Sequence, residues 1–121
     1  MVKKAKKTRK KLVIGLTEKV TLIGPTNKKK RVIARIDTGA TKSSVDAKLA
    51  AELSLGPIIK TKLVKSASGS KLRPVIKAEI KLADKTIKSE FTIADRGHMK
   101  YRVLVGQNIL KEAKLLIDPN K

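Results

Sequence analysis

The carboxylate with an obvious chemical use is Asp37, at the head of Asp37-Thr38-Gly39-Ala40. It follows Val32-Ile33-Ala34-Arg35-Ile36, whose apolar alternation is that of a strand, so Asp37 falls at a strand end in a turn. A carboxylate placed there can serve hydrolysis as one half of a pair that shares a proton. The chain carries this motif once. The second carboxylate would therefore come from a second copy of the chain, which makes dimerisation part of the chemistry. The plain alternative is a turn Asp that hydrogen-bonds its own backbone, with Gly39 supplying a positive φ. A tripeptide match alone does not separate the two.

Other chemistries are poorly supplied. There is no Cys, hence no disulfide, thiolate ligand or cysteine nucleophile. The single histidine, His98 in Arg96-Gly97-His98-Met99, reads as an ordinary loop residue. One His without Cys is too few for a zinc site, and both the His-Glu-x-x-His pattern and the glycine-rich loop that cradles ATP phosphates are absent. No metal and no cofactor are expected. Tyr101 and Phe91 are the only aromatics, so base stacking is not a means of holding RNA or single-stranded DNA.

The 121 residues fit one domain with one aliphatic core. Thirty Lys and Arg against ten Asp and Glu give a formal net charge of +20. Seven of the cations fall in residues 3–11, and without them the remainder still carries +13. We therefore expect a disordered basic tail over residues 1–11 and a domain over 12–121. Such a field attracts anions in general: nucleic acid, ribosomal surface or acidic polypeptide. The tail can hold polyanions nonspecifically through counterion release, but nothing in it would read a base sequence. The apolar run Leu12-Val13-Ile14-Gly15-Leu16 stops at Thr17 and Glu18, too short for a secretory signal core or a membrane span. The expectation is a cytoplasmic protein with no membrane partner.

Period-two alternation dominates the rest, which predicts a mainly β protein. Val20 and Leu22 open a strand that ends near Gly24-Pro25. Val32, Ala34 and Ile36 share one face of the next, opposite Arg31 and Arg35. Asp46 reads as the N-cap of a short helix carrying Leu49 and Leu53, closed by Gly56-Pro57. Strands over residues 58–65 and 72–82 flank Ser66, Ala67, Ser68, Gly69 and Ser70, small residues suited to a mobile hairpin tip. A turn at Asp84-Lys85 leads to a strand over 86–93. A polar loop over 95–100, the strand-like Val103-Leu104-Val105-Gly106, a helical turn over 107–111 and a last strand over 115–118 follow.

This order resembles a retropepsin, the single-domain aspartic protease that works as a homodimer. Leu104-Val105-Gly106-Gln107-Asn108-Ile109-Leu110 is similar to the second signature of that fold, in which the Gly lets the active-site strand pass closely. Ile14-Gly15 with Glu18, residues 34–40, Arg73-Pro74-Val75-Ile76, Glu90-Phe91-Thr92 and Asp95-Arg96 with Met99-Lys100 resemble a narrower family, labelled ATP-dependent zinc proteases. Members of that family are often associated with an enzyme that ligates glutamate to ribosomal protein. Leu16 stands where the family usually has Trp.

The resemblance implies a retropepsin-like closed barrel with one or two short helices. It implies an aspartic endopeptidase with one Asp37 from each subunit, Thr38 bracing the paired loops, Gly39 and Ala40 making room, and residues 66–70 as a flap. Acidic or glutamate-modified polypeptides are the implied substrates. The rival expectation is a catalytically silent barrel whose basic surface binds ribosomal RNA, ribosomal protein or acidic tails.

Overall fold

The computed structural model describes residues 12–67 and 69–121. The expected tail over residues 1–11 and Ser68 of the expected flap lie outside the described residues.

The described residues form nine strands and two short helices. In chain order these are β1 (Val13–Ile14), β2 (Thr17–Ile23), β3 (Lys29–Ile36), β4 (Ser43–Asp46), α1 (Ala47–Glu52), β5 (Ile58–Ser66), β6 (Gly69–Leu82), β7 (Lys85–Ala94), β8 (Val103–Val105), α2 (Gln107–Ala113) and β9 (Leu116–Ile117). The main sheet runs β2-β3-β8-β4-β7-β6, and pairing of β2 with β6 closes it into a six-stranded barrel. Closure removes two open edges that would otherwise invite a foreign strand.

The alternation seen in the sequence is the inside and outside of this barrel. Val20 and Leu22 of β2, Ala34 and Ile36 of β3, and Ala78, Ile80 and Leu82 of β6 are buried, whereas Arg31, Arg35, Lys77 and Lys81 face outward. Phe91, fully buried, is the one aromatic of an otherwise aliphatic core. Ile14 and helix residues Leu49, Ile109 and Leu110 complete it.

β6 is longer than the barrel needs. Its second half pairs with β7 on one side and β2 on the other, while its first half pairs with β5 alone. The β5–β6 hairpin therefore projects from the barrel as an arm. Its strands run further toward the tip than expected, since Ser66 already pairs with Gly69 and Lys65 with Ser70. Gly69, at φ 123°, takes a backbone conformation closed to other residues there.

Three further boundaries differ from expectation. The β6–β7 turn is at Ala83 and Asp84, both at positive φ (50° and 68°), because Lys85 already pairs with Leu82. These are the φ signs of a type I′ hairpin turn, which matches strand twist. Strand β4 was not foreseen, since four residues with a single large apolar side chain carry no readable period. It lies antiparallel to β8 and parallel to β7. β1, which was not foreseen as a strand, pairs in parallel with β9 as a separate two-stranded sheet.

Asp46 ends β4 and caps α1, as the sequence suggested, but it does more. Its carboxylate is 1% exposed and accepts from the Leu49 N–H (3.4 Å), the Arg96 N–H (2.8 Å) and the Arg102 guanidinium (3.4 Å). Burial works against ionisation, yet the Arg96 and Leu49 N–H groups and Arg102 hold its pKa below the ordinary 3.8. One carboxylate thus ties β4, α1 and the 95–102 loop together. Asp46→Ala should lower stability by about 2 kcal/mol or more, from the lost cap and the stranded donors, read as a drop in the urea midpoint. The charge contribution has a definite pH sign: it is fully present above the unfolded value and is lost as pH falls through the lower folded value. The stability gap between the parent and Asp46→Asn should therefore be constant at neutral pH and shrink below about pH 4.

Candidate active site

Strand β3 delivers Asp37 to the barrel rim, and β8 runs parallel beside it. The Asp37 N–H donates to the Val105 carbonyl (2.9 Å), continuing the ladder one residue past the strand. Beyond it the chain turns, with the Ala40 N–H donating to the Asp37 carbonyl (3.3 Å). The start of α2 then fastens this loop. Gln107 N–H donates to the Ala40 carbonyl (2.8 Å), Asn108 N–H to the Thr41 carbonyl (3.3 Å), and Gln107 Nε2 to the Thr38 carbonyl (2.8 Å).

Gly106 makes this approach sterically feasible. A Cβ there would run into the carbonyls of Lys42 and Ala40. Beneath it, Ser43 Oγ accepts from the Gly106 N–H (2.9 Å) and donates to Asn108 Oδ1 (2.8 Å). Asn108 Nδ2 donates in turn to Ser89 Oγ (3.0 Å) and the Glu90 carbonyl (2.9 Å). The two sequence signatures, Asp37-Thr38-Gly39-Ala40 and Leu104-Val105-Gly106, are thus held together through buried polar contacts. Ser43 and Ser89 were not picked out in the sequence, because a single Ser beside a strand carries no signal until its partner is known.

Asp37 is half-buried, and Thr38 and Gly39 are exposed. Asp37 Oδ1 accepts from the Gly39 N–H (2.9 Å), while Oδ2 has no hydrogen-bond partner among the described residues. The local turn bond expected of a structural Asp is therefore present, but it occupies one oxygen only. The positive φ expected at Gly39 is absent. A Cβ there would meet Asp37 Oδ1 at 3.3 Å.

The arm formed by β5 and β6 overhangs this loop. Gly39, Ala40 and Lys42 share a cleft of about 370 Å³ with Lys62 and Val64 of β5, Arg73 of β6, and Arg96. Of the expected flap, Ala67, Gly69 and Ser70 lie exposed at the tip of that arm, and Ser66 closes β5. Lys42 and Lys60 both ion-pair with Glu90 (2.9 and 3.4 Å). The Lys42 hydrogen bond, outweighing burial and helped by Lys60, holds the Glu90 pKa below the usual carboxylate range. Arg96 is partly buried, and its Nε donates to the Tyr101 carbonyl (3.1 Å). Burial first, then the charges of Arg35 and Arg73, press its guanidinium below the ordinary value, while Asp46 and Asp37 act in the opposite sense. His98 is exposed, and no cluster of three His, Cys, Asp or Glu able to hold a metal occurs among the described residues. Nor is any helix among them long and apolar enough to cross a membrane.

Against known proteins, residues 48–121 match the RimB-like family, described as retropepsin-like aspartic endopeptidase RimB. That stretch includes the second signature and begins after the Asp37 loop. No curated protein matches the sequence. Among solved structures, the chain is similar to Lpg0085 of Legionella pneumophila, a protein of unknown function (23% identity, 93% of this chain and 96% of that one, TM-score 0.65). It is also similar to the EIAV protease complexed with the inhibitor HBY-793 (19% identity, 82% of this chain and 88% of that one, TM-score 0.66). Both likenesses are of fold. With the family match spanning most of its length, the chain belongs to the RimB-like family of retropepsin-like aspartic endopeptidases.

Proposed function

We propose that this protein is an aspartic endopeptidase that works as a homodimer, one Asp37 coming from each subunit. The observation that carries the reading is the half-buried Asp37 carboxylate with one oxygen free, on a loop clamped from below and overhung by a hairpin arm. Two carboxylates about 3 Å apart do not both ionise, so such a pair holds one proton between them. The ionised member takes a proton from water, and the protonated member polarises the peptide carbonyl. Thr38 braces the two loops at the axis, and the arm over residues 66–70 closes on the substrate and excludes water.

An apolar rim supports the second copy. Leu12, Val13 and Leu16 near β1 and Leu116 of β9 are all exposed. The Leu16 carbonyl accepts from the Ile36 N–H (2.9 Å), which puts this rim next to Asp37. An exposed apolar cluster of this kind suits association with another chain.

Acidic polypeptides are the proposed substrates, in the cytoplasm. Support comes from the cations of the cleft and from the net charge of +20. The resemblance to a family associated with glutamate ligation points to glutamate-bearing tails of ribosomal protein.

Asp37→Asn should retain the circular-dichroism spectrum and unfold near the parent temperature, while peptide hydrolysis falls to background. Adding excess Asp37→Asn protein to the parent should depress its activity, because mixed dimers lack half of the pair. Activity that survives in the variant, or that a zinc chelator abolishes, would contradict the assignment. A strictly monomeric, inactive protein that still held acidic chains would instead favour the binding-module reading.

Charge steering is screened beyond about 10 Å at 0.1 M salt. Cleavage of an acidic peptide should accordingly slow across a salt series, chiefly through weaker capture, whereas a neutral peptide of equal length should respond little. Parallel salt responses would show that the positive surface serves something other than substrate capture.

A further inference from the structure

The cations around the cleft fall into two classes. Lys42 and Lys60 share the single carboxylate of Glu90. Lys62, Lys65, Arg73 and Arg96 also line it and form no ion pair among the described residues, Lys65 being exposed toward the tip of the arm. Lys62 and Arg73 are also directly opposite one another in the β5–β6 ladder. Like charges in that relation weaken a strand pair, and here they do so toward the base of the arm that overhangs the loop following Asp37.

Arg96 comes from the other wall, in the loop after β7. Its backbone N–H is held by Asp46 Oδ1 and its Nε by the Tyr101 carbonyl. The guanidinium is thereby fixed in direction, with its two terminal nitrogens lacking a partner among the described residues. An oriented guanidinium with free terminal donors matches a carboxylate in the geometry that gives paired, charge-assisted bonds.

We infer that Lys62, Arg73 and Arg96 form a recognition site for a substrate carboxylate side chain close to the scissile bond, and that filling this site draws the β5–β6 arm onto the opposite wall. The inference rests on the acidic-peptide reading above. A carboxylate between the two walls bonds to Arg96 on the fixed side and relieves the Lys62–Arg73 repulsion on the movable side. The arm is therefore looser without an acidic ligand and tighter with one. Arg73 and Arg96 act as specificity-determining residues, and the chemistry stays with Asp37.

The test compares two peptides of equal length, one with glutamates flanking the cleavage point and one with glutamines there. Cleavage is measured with the parent, and binding by fluorescence anisotropy with Asp37→Asn, so that affinity is read without turnover. The parent should prefer the glutamate peptide. Arg73→Gln and Arg96→Gln should each lose about tenfold of that preference, in KM rather than kcat, as expected for one charge-assisted contact. Arg73→Lys should retain more of it than Arg73→Gln. Arg73→Gln should also melt no lower than the parent, since it removes a like-charge contact, whereas a merely structural arginine would leave a less stable protein. Lys77→Gln, on the outer face of β6, should leave the preference unchanged. In Asp37→Asn, the glutamate peptide should slow amide exchange across residues 62–73, and adding Arg73→Gln should abolish that protection.

A full glutamate preference in both Arg→Gln variants would overturn this site while leaving the acidic-substrate reading intact. Equal handling of the two peptides by the parent would overturn that reading, and this inference with it. Tight binding without added protection of residues 62–73 would overturn the coupling of the site to the arm.

Discussion

Everything at the rim depends on how closely β8 and the start of α2 approach the Asp37 loop. That approach is set by the missing side chain at Gly106, whose place is filled by the carbonyls of Lys42 and Ala40. Any larger residue would push α2 away and break the Gln107 and Asn108 bonds that hold the loop. The close contact also buries polar groups, which must then be satisfied. Ser43, Asn108 and Ser89 do this, and no buried side-chain polar atom is left without a partner among the described residues. The clamp therefore holds the Asp37 backbone while leaving one carboxylate oxygen available.

The second constraint is charge. With three cations for every acid, the fold places several of its carboxylates as staples. Asp46 fastens the Arg96 loop to α1, and Glu90 pairs with both Lys42 and Lys60 beside the arm. Glu18 accepts from the Gly15 N–H (2.9 Å) and pairs with Lys121, tying the β1 segment to β2 and to the chain end. Glu52 reaches Lys30 and Arg102 from the end of α1. The exposed pairs contribute little individually. The buried Asp46 contributes more, because its neighbours would otherwise be stranded donors.

Much of the barrel was legible because half-buried strands write their period into the chain. β2, β3, β6 and β7 each show it, and Asp46 read correctly as a cap from its place before Leu49. β4 was not legible: Ser43 and Asp46 are buried for their hydrogen bonds rather than for hydrophobicity, so the usual signal is inverted there. The turn at Ala83 was misplaced by one residue because Ala is a poor advertisement for a left-handed conformation. At the site, Asp37 and Gly106 stood out by motif. Arg73 and Arg96 fall in stretches that resemble the family, but nothing in those stretches says which side chains face the site, and it is the cleft that brings the two together.

The site combines a stiff floor with a loose roof, and the difference follows from burial. Beneath Asp37, the strands are paired on both sides and their inner faces are covered by Val45, Phe91, Val103 and Ile109. β5, by contrast, pairs on one edge only, and its Ile58, Ile59 and Leu63 are exposed, as is Leu72 across from Leu63. An element with so little apolar burial and an open edge opens at low free-energy cost. Its order must then come from whatever fills the cleft below it, and the cations on its inner face determine which ligands can supply that order.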